Sequence, residues 1–255
     1  MQRRDFLIFA AASGLLSGTA AAAPVAGTAL SLPVAINKSG RLRMLSLRGA
    51  KAWLLLVQGV LPERAKSILA QSLASFEQIL GELKTLQPGD DIRGLAQTLD
   101  QEWRAYRPLL ADVRADPKAV WTHSEAVLAA AQALTVAYEK AAGTSSGKLV
   151  NLSGRQRMLS QRMAKAYLFR QMGVNTAEAG SMLDAAMKEF AKAHDDLKAA
   201  PQSTAQIKSE LALVEQQWFF FQNALQLRAA TDRVKAASDV ATTSERILEQ
   251  MDLVV

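Results

Sequence analysis

The stretch Asn37-Lys38-Ser39-Gly40-Arg41-Leu42-Arg43-Met44-Leu45-Ser46-Leu47-Arg48-Gly49-Ala50-Lys51-Ala52 returns 114 residues later as Asn151-Leu152-Ser153-Gly154-Arg155-Gln156-Arg157-Met158-Leu159-Ser160-Gln161-Arg162-Met163-Ala164-Lys165-Ala166. Over 37–56 and 151–170, 13 of 20 positions are identical, which chance does not produce. A weaker echo keeps almost the same register: Gln101-Glu102-Trp103 with Tyr106 matches Gln216-Gln217-Trp218 with Phe221, 115 residues on. The duplicated unit is therefore a whole half of the chain.

Between these echoes the helix breakers fall at regular intervals and divide each half into four pieces of about 25 residues. Gly59 and Pro62 end the first piece, Pro88-Gly89-Asp90-Asp91 ends the second and caps the third, and Asp116-Pro117 opens the fourth. In the second half Gly173 to Asn175, Ala200-Pro201-Gln202-Ser203 and Thr231-Asp232 serve as joints, with Asn175 and Glu178 spaced as an N-cap and capping box. Gly143-Thr144-Ser145-Ser146-Gly147 separates the halves. Apolar residues recur at helical spacing, as in Ile68, Leu69, Leu73, Phe76, Ile79, Leu80 and Leu83, and no stretch alternates long enough for a strand. The expected class is all-α, two tandem four-helix modules over 24–143 and 144–255. Pro108 is expected to kink or shorten the third helix.

The 255 residues are 49% hydrophobic and 21% charged, enough for one large or two small packed domains. The absence of cysteine excludes a disulfide scaffold, a cysteine zinc site and a cysteine nucleophile. Residues 1–23 read as a cleavable export signal: Arg3-Arg4, an apolar run to Leu16, then Ala20 to Ala23 before Pro24. Arg3-Arg4 with Phe6-Leu7 gives the segment a twin-arginine-like character, against an ordinary secretory signal or an uncleaved anchor. The expected location is the periplasm. No later apolar run approaches 18 residues, since Gln58-Gly59 interrupts Trp53 to Val57.

The formal net charge is +6, yet its distribution matters more than its sum. The two repeated segments hold Lys38, Arg41, Arg43, Arg48, Lys51, Arg155, Arg157, Arg162, Lys165 and Arg170 without one acid. The remainder of the chain beyond residue 23 carries 18 basic against 23 acidic side chains. Nucleic-acid binding calls for cations spread over several elements with interleaved aromatics, so no nucleic-acid partner is expected. A concentrated field within an acidic body suits a small anion.

On a helix, Gly40 and Arg43 share a face with Leu47, Ala50 and Leu54, as Gly154 and Arg157 do with Gln161, Ala164 and Leu168. Glycine inside a helix costs about 1 kcal/mol relative to alanine, so a repeated one needs a packing or binding reason. If the two helices face each other as in a two-fold dimer, Arg43 and Arg157 meet, and a planar oxyanion between them would accept both forks. The competing reading gives each arginine an acid of its own module or an outlet to solvent.

The string Asn-x-Ser-Gly-Arg-x-Arg-Met-Leu-Ser-x-Arg resembles the ligand-sensing helix of nitrate and nitrite sensor kinases of the NarX/NarQ type. It resembles equally the PilJ-type domain at the N-terminus of type IV pilus methyl-accepting chemotaxis transducers. The resemblance is specific over about 12 residues in each half. It implies a periplasmic four-helix bundle with an anion held between two copies of this helix. Arg43 and Arg157 would then contact the anion, Gly40 and Gly154 would admit it to the backbone, and Lys38, Arg48 and Arg162 would be accessory.

The chain departs from that pattern in having Leu152 where the first copy has Lys38, and in carrying both copies itself. No stretch of the 255 residues reads as a kinase or chemotaxis signalling segment, so any signal is expected to leave through a membrane sensor, transducer or transporter. The alternative is a helical interaction module that docks a membrane sensor, transporter or pilus component through outward-facing arginines, without a small ligand.

Neither His123 nor His194 has a second histidine at ligand spacing, and His194-Asp195-Asp196 reads as a solvated face. Gly143 to Lys148 is too short for a phosphate loop. Trp103, Trp218 and Phe219-Phe220-Phe221 read as core aromatics of the third helices, but three consecutive phenylalanines cannot all face one core, and one of them is expected at the contact between modules. No nucleophile–base set or carboxylate pair assembles, so the expectation is a non-enzyme with no catalytic residues, no metal and no cofactor.

Overall fold

Proline and glycine mark most of the helix limits. The computed structural model describes residues 31–86, 89–226 and 232–254, and the export signal read over 1–23 lies outside them. Within the described residues eight α-helices follow in order: α1 (Leu32–Val57), α2 (Pro62–Thr85), α3 (Asp90–Ala111), α4 (Pro117–Ala142), α5 (Ser145–Met172), α6 (Thr176–Ala199), α7 (Ala205–Gln226) and α8 (Arg233–Asp252). The protein is all-α, two four-helix modules in tandem.

Local chemistry accounts for the boundaries. Asp116 caps α4 by accepting from the Lys118 amide, and Asp232 caps α8 through the Lys235 amide. Gly143 and Gly173 close α4 and α5 in the left-handed region, where a Cβ is penalised. The segment between the halves is shorter than the Gly143–Gly147 linker expected, because Thr144 accepts from the Gly147 amide and starts α5 at once. Asn175 does precede α6, but it sits left-handed at φ 48° and makes no side-chain cap. Its counterpart Leu61 has the same φ of 48°, so both copies turn from first to second helix through one strained residue. Pro108 neither ends nor shortens α3, which runs on to Ala111.

The repeated helices form the centre. α1 packs against α2, α4 and α5, and α5 packs against α6, α8 and α1, so α1–α5 is the seam between modules. Seventeen of the 26 residues of α1 are buried, against six of 22 in α3, which makes α1 a core helix and α3 a flanking one. Serines tolerate this burial by bonding within their own helix: Ser39 to the Ile36 carbonyl, Ser46 to Arg43, Ser153 to Leu149 and Ser160 to Arg157.

Aromatic pairs lock the outer helices in both copies. Phe76 stacks on Trp103 at 3.7 Å between centroids and Phe190 on Trp218 at 4.5 Å, at equivalent positions of the two modules. Each pair contributes about 0.5–1.5 kcal/mol beyond its buried area. His194 is not on a solvated face. It is buried and lies parallel to the Phe190 ring, while Asp195 and Asp196 point outward. Phe221 is buried as expected, but Phe219 and Phe220 are both solvent-exposed rather than held between modules.

Candidate functional site

Where α1 and α5 cross, Arg43 and Arg157 are 0% and 1% exposed. Each guanidinium crosses the seam. Arg43 Nη2 donates to Asn151 Oδ1 at 2.8 Å, and Arg157 Nη2 donates to Asn37 Oδ1 at 2.7 Å, a reciprocal exchange between equivalent positions. The other amino group stays within its module, Arg43 Nη1 donating to Gln132 Oε1 on α4 at 2.5 Å and Arg157 Nη1 to Asp252 Oδ1 on α8 at 2.6 Å. The two guanidiniums converge. A Cβ on Gly154 would lie 3.3 Å from Arg157 Nη2 and 3.7 Å from Arg43 Nη2.

The glycines are explained by the same geometry. A Cβ on Gly40 would come within 3.1 Å of Arg43 Nη2, so the missing side chain makes room for the guanidinium to fold back over its own helix. In both copies this space is taken by the arginine itself. Gly40, Arg43, Gly154 and Arg157 thus form one cluster.

Charge is unequal across the cluster. Arg157 has a carboxylate, Asp252, which Arg41 also approaches at 3.4 Å. Among the described residues no carboxylate contacts Arg43, whose acceptors are two neutral amides, and no acceptor reaches its Nε. Burial, followed by the charges of Arg155 and Arg157, pushes the Arg43 guanidinium down from 12.5 to about 9, against the weaker pull of Glu139 and Glu189. Arg157 is also lowered by burial, with Asp252 opposing the shift. Arg43 is a cation at neutral pH, held where its charge is poorly compensated.

About two turns further along, a second pair of clusters crosses the seam. Lys51 donates to Ser244 Oγ at 3.0 Å and to Glu245, which also receives Arg48. Lys165 donates to Ser124 Oγ at 2.9 Å and to Glu125, which also receives Arg162. In each case the basic helix of one module is clasped by the Ser-Glu pair on the fourth helix of the other. Burial lowers the Lys51 ammonium to about 8 and that of Lys165 in the same direction, each against the pull of its glutamate. Burial alone would raise the Glu245 carboxyl, but Lys51 and Arg48 together hold it down at about 2. Arg48 and Arg162, expected as accessory, belong to these clasps. Lys38 pairs instead with Glu82 on α2.

Sequence reasoning missed Asn37 and Asn151, although both stand in the repeated string. It also missed Gln132, Asp252 and the two Ser-Glu pairs. A signal for these existed: Val120, Thr122, Ser124, Glu125 and Leu128 recur 120 residues later as Val240, Thr242, Ser244, Glu245 and Leu248. The same offset relates Gln132 to Asp252.

The family model for the N-terminal domain of type IV pili methyl-accepting chemotaxis transducers, PilJ, matches residues 28–139 and again 141–250. The chain belongs to the PilJ family. Two PilJ-type copies in one chain account for the reciprocal contacts at the seam. The family is one of sensory domains in signal transduction rather than of enzymes. No helix among the described residues is long and apolar enough to cross a membrane. No curated protein and no solved structure matches the chain.

Proposed function

We propose that the chain is an exported sensor or accessory protein that binds a small planar oxyanion, nitrate or nitrite, where Arg43 and Arg157 converge. The observation that carries this reading is the meeting of two fully buried guanidiniums from duplicated helices, one of them without a carboxylate partner. An oxyanion would replace neutral amide acceptors by charge-assisted ones, which are roughly twice as strong. Gly40 and Gly154 let the two guanidiniums fold back over their own helices and so converge there, and Arg48, Arg162 and Lys38 hold the basic helices in place around it.

Binding would act by population shift. The anion favours one packing of α1 against α5, and a membrane sensor, transducer or transporter reads the altered module arrangement. Export to the periplasm fits both the segment read over residues 1–23 and the chemotaxis-transducer family. The arginines face the seam rather than solvent, which favours an internal ligand over docking through outward-facing arginines. Calorimetric titration of the full chain with nitrate, nitrite, sulfate and chloride tests the proposal. Nitrate or nitrite is expected to give heat and to stabilise by about 2.7 kcal/mol at a hundredfold excess over Kd. No heat and no melting shift with any of the four would refute it.

A further inference from the structure

A cavity of about 190 Å³ lies between α4 and α5, lined by Glu125, Ala129, Gln132, Arg155 and Arg162 together with two apolar side chains. It has room for about six waters at ~30 Å³ each, hence for a small hydrated anion. Gln132 joins this cavity to the buried site. Its Oε1 accepts from Arg43 Nη1 at 2.5 Å and from Arg155 Nη1 at 3.3 Å, so one neutral oxygen serves two guanidiniums.

The second copy places different chemistry at the equivalent positions. Arg41 and Arg48 correspond to Arg155 and Arg162, and Glu245 to Glu125. Gln132, however, becomes Asp252, and Ala129 becomes Glu249. The acids near Arg43, Glu125, Glu189 and Glu139, are engaged by Arg162 and Lys165, by Arg155 and by Asn151, and none contacts Arg43, whereas on the other side Asp252 contacts Arg157 itself. An anion approaching the second side meets an arginine already engaged by Asp252.

From this asymmetry we infer that the anion site is one-sided: the ligand enters through the α4–α5 cavity past Arg155 and Arg162, displaces the Gln132 oxygen, and is held chiefly by Arg43. Gln132 is then a specificity-determining residue, a neutral placeholder for an oxyanion oxygen, and Asp252 is its internal substitute in the other copy. The inference rests on the anion reading above and narrows it from a shared two-fold site to one arginine and one route.

Nitrate titration of the full chain separates the two. Gln132→Asp copies the second module and gives Arg43 its own carboxylate, so Kd for nitrate rises at least about tenfold, the loss of one charge-assisted contact or more. Ala129→Glu, at an exposed position that folding tolerates, raises Kd several-fold, more at low ionic strength, while Glu249→Ala leaves it unchanged. Wild-type affinity in both Gln132→Asp and Ala129→Glu overturns the one-sided site and leaves the anion reading standing. A wild-type chain that binds neither nitrate nor nitrite overturns both.

Discussion

The two copies of the repeated helix make the same hydrogen bonds with unequal charge. Arg157 is neutralised by Asp252, whereas Arg43 has only the amide oxygens of Gln132 and Asn151. The clasps differ too, since the Glu245 side chain is 4% exposed and that of Glu125 28%. A symmetric dimer of identical chains could not show either difference. Duplication within one chain frees each half to diverge, so that one arginine is stabilised internally and the other stays uncompensated.

The largest effect expected from this comparison is at the clasps. Glu245→Ala leaves Lys51 buried without a counter-charge and is expected to cost about 3–5 kcal/mol of unfolding free energy in urea. Glu125→Ala removes a carboxylate that is itself 28% exposed, so water can take its place beside the equally buried Lys165, and should cost about 1–3 kcal/mol. Equal losses would show that the copies carry the same load.

The pH dependence of stability follows from the same groups. Glu245 titrates at about 2 when folded against an ordinary 4.5, so its contribution is present above the ordinary value and lost as pH falls from 4.5 through 2. Lys51 acts with the opposite sign. Its folded value of about 8 lies below 10.5, the unfolded chain binds more protons in that window, and stability rises with pH between the two. Thermal melts of Glu245→Gln should lose the acid-side fall, and those of Lys51→Met the alkaline rise.

Smaller effects of opposite sign are expected from exchanging the charge at the arginines. Asp252→Asn removes the carboxylate of Arg157 and should destabilise the ligand-free chain by about 1–3 kcal/mol. Gln132→Asp should stabilise it by about 1 kcal/mol, by supplying Arg43 with the counter-charge it lacks. Two changes of the same sign would contradict the unequal charge. The smallest effect is at the turns, where Asn175→Ala should cost about 0.5–1 kcal/mol, because asparagine tolerates the left-handed backbone better than alanine.

Much of the fold was legible because breakers act locally: Pro62, Asp116-Pro117 and Gly173 fix helix limits through their own backbone preferences. The arginine–glycine pairs were legible because they lie inside a repeated string. Their partners were not, since Gln132 lies 89 residues from Arg43, Asp252 95 from Arg157 and Glu245 197 from Arg48, on fourth helices whose repeat is short. His194 misled because two neighbouring acids suggested a polar face, although the residue is spaced i+4 from Phe190 on the buried stripe. Phe219 and Phe220 have Arg104 and Ala105 as counterparts, so nothing in the repeat assigned them a packed position.

The most direct measurement is a crystallographic difference map of the full chain with and without nitrate. The account predicts a planar anion within hydrogen-bond distance of Arg43 Nη1, with the Gln132 amide turned away and Arg157 still on Asp252. A map at saturating nitrate in which Arg43 keeps both Gln132 and Asn151 and no anion lies at the α1–α5 crossing would contradict it.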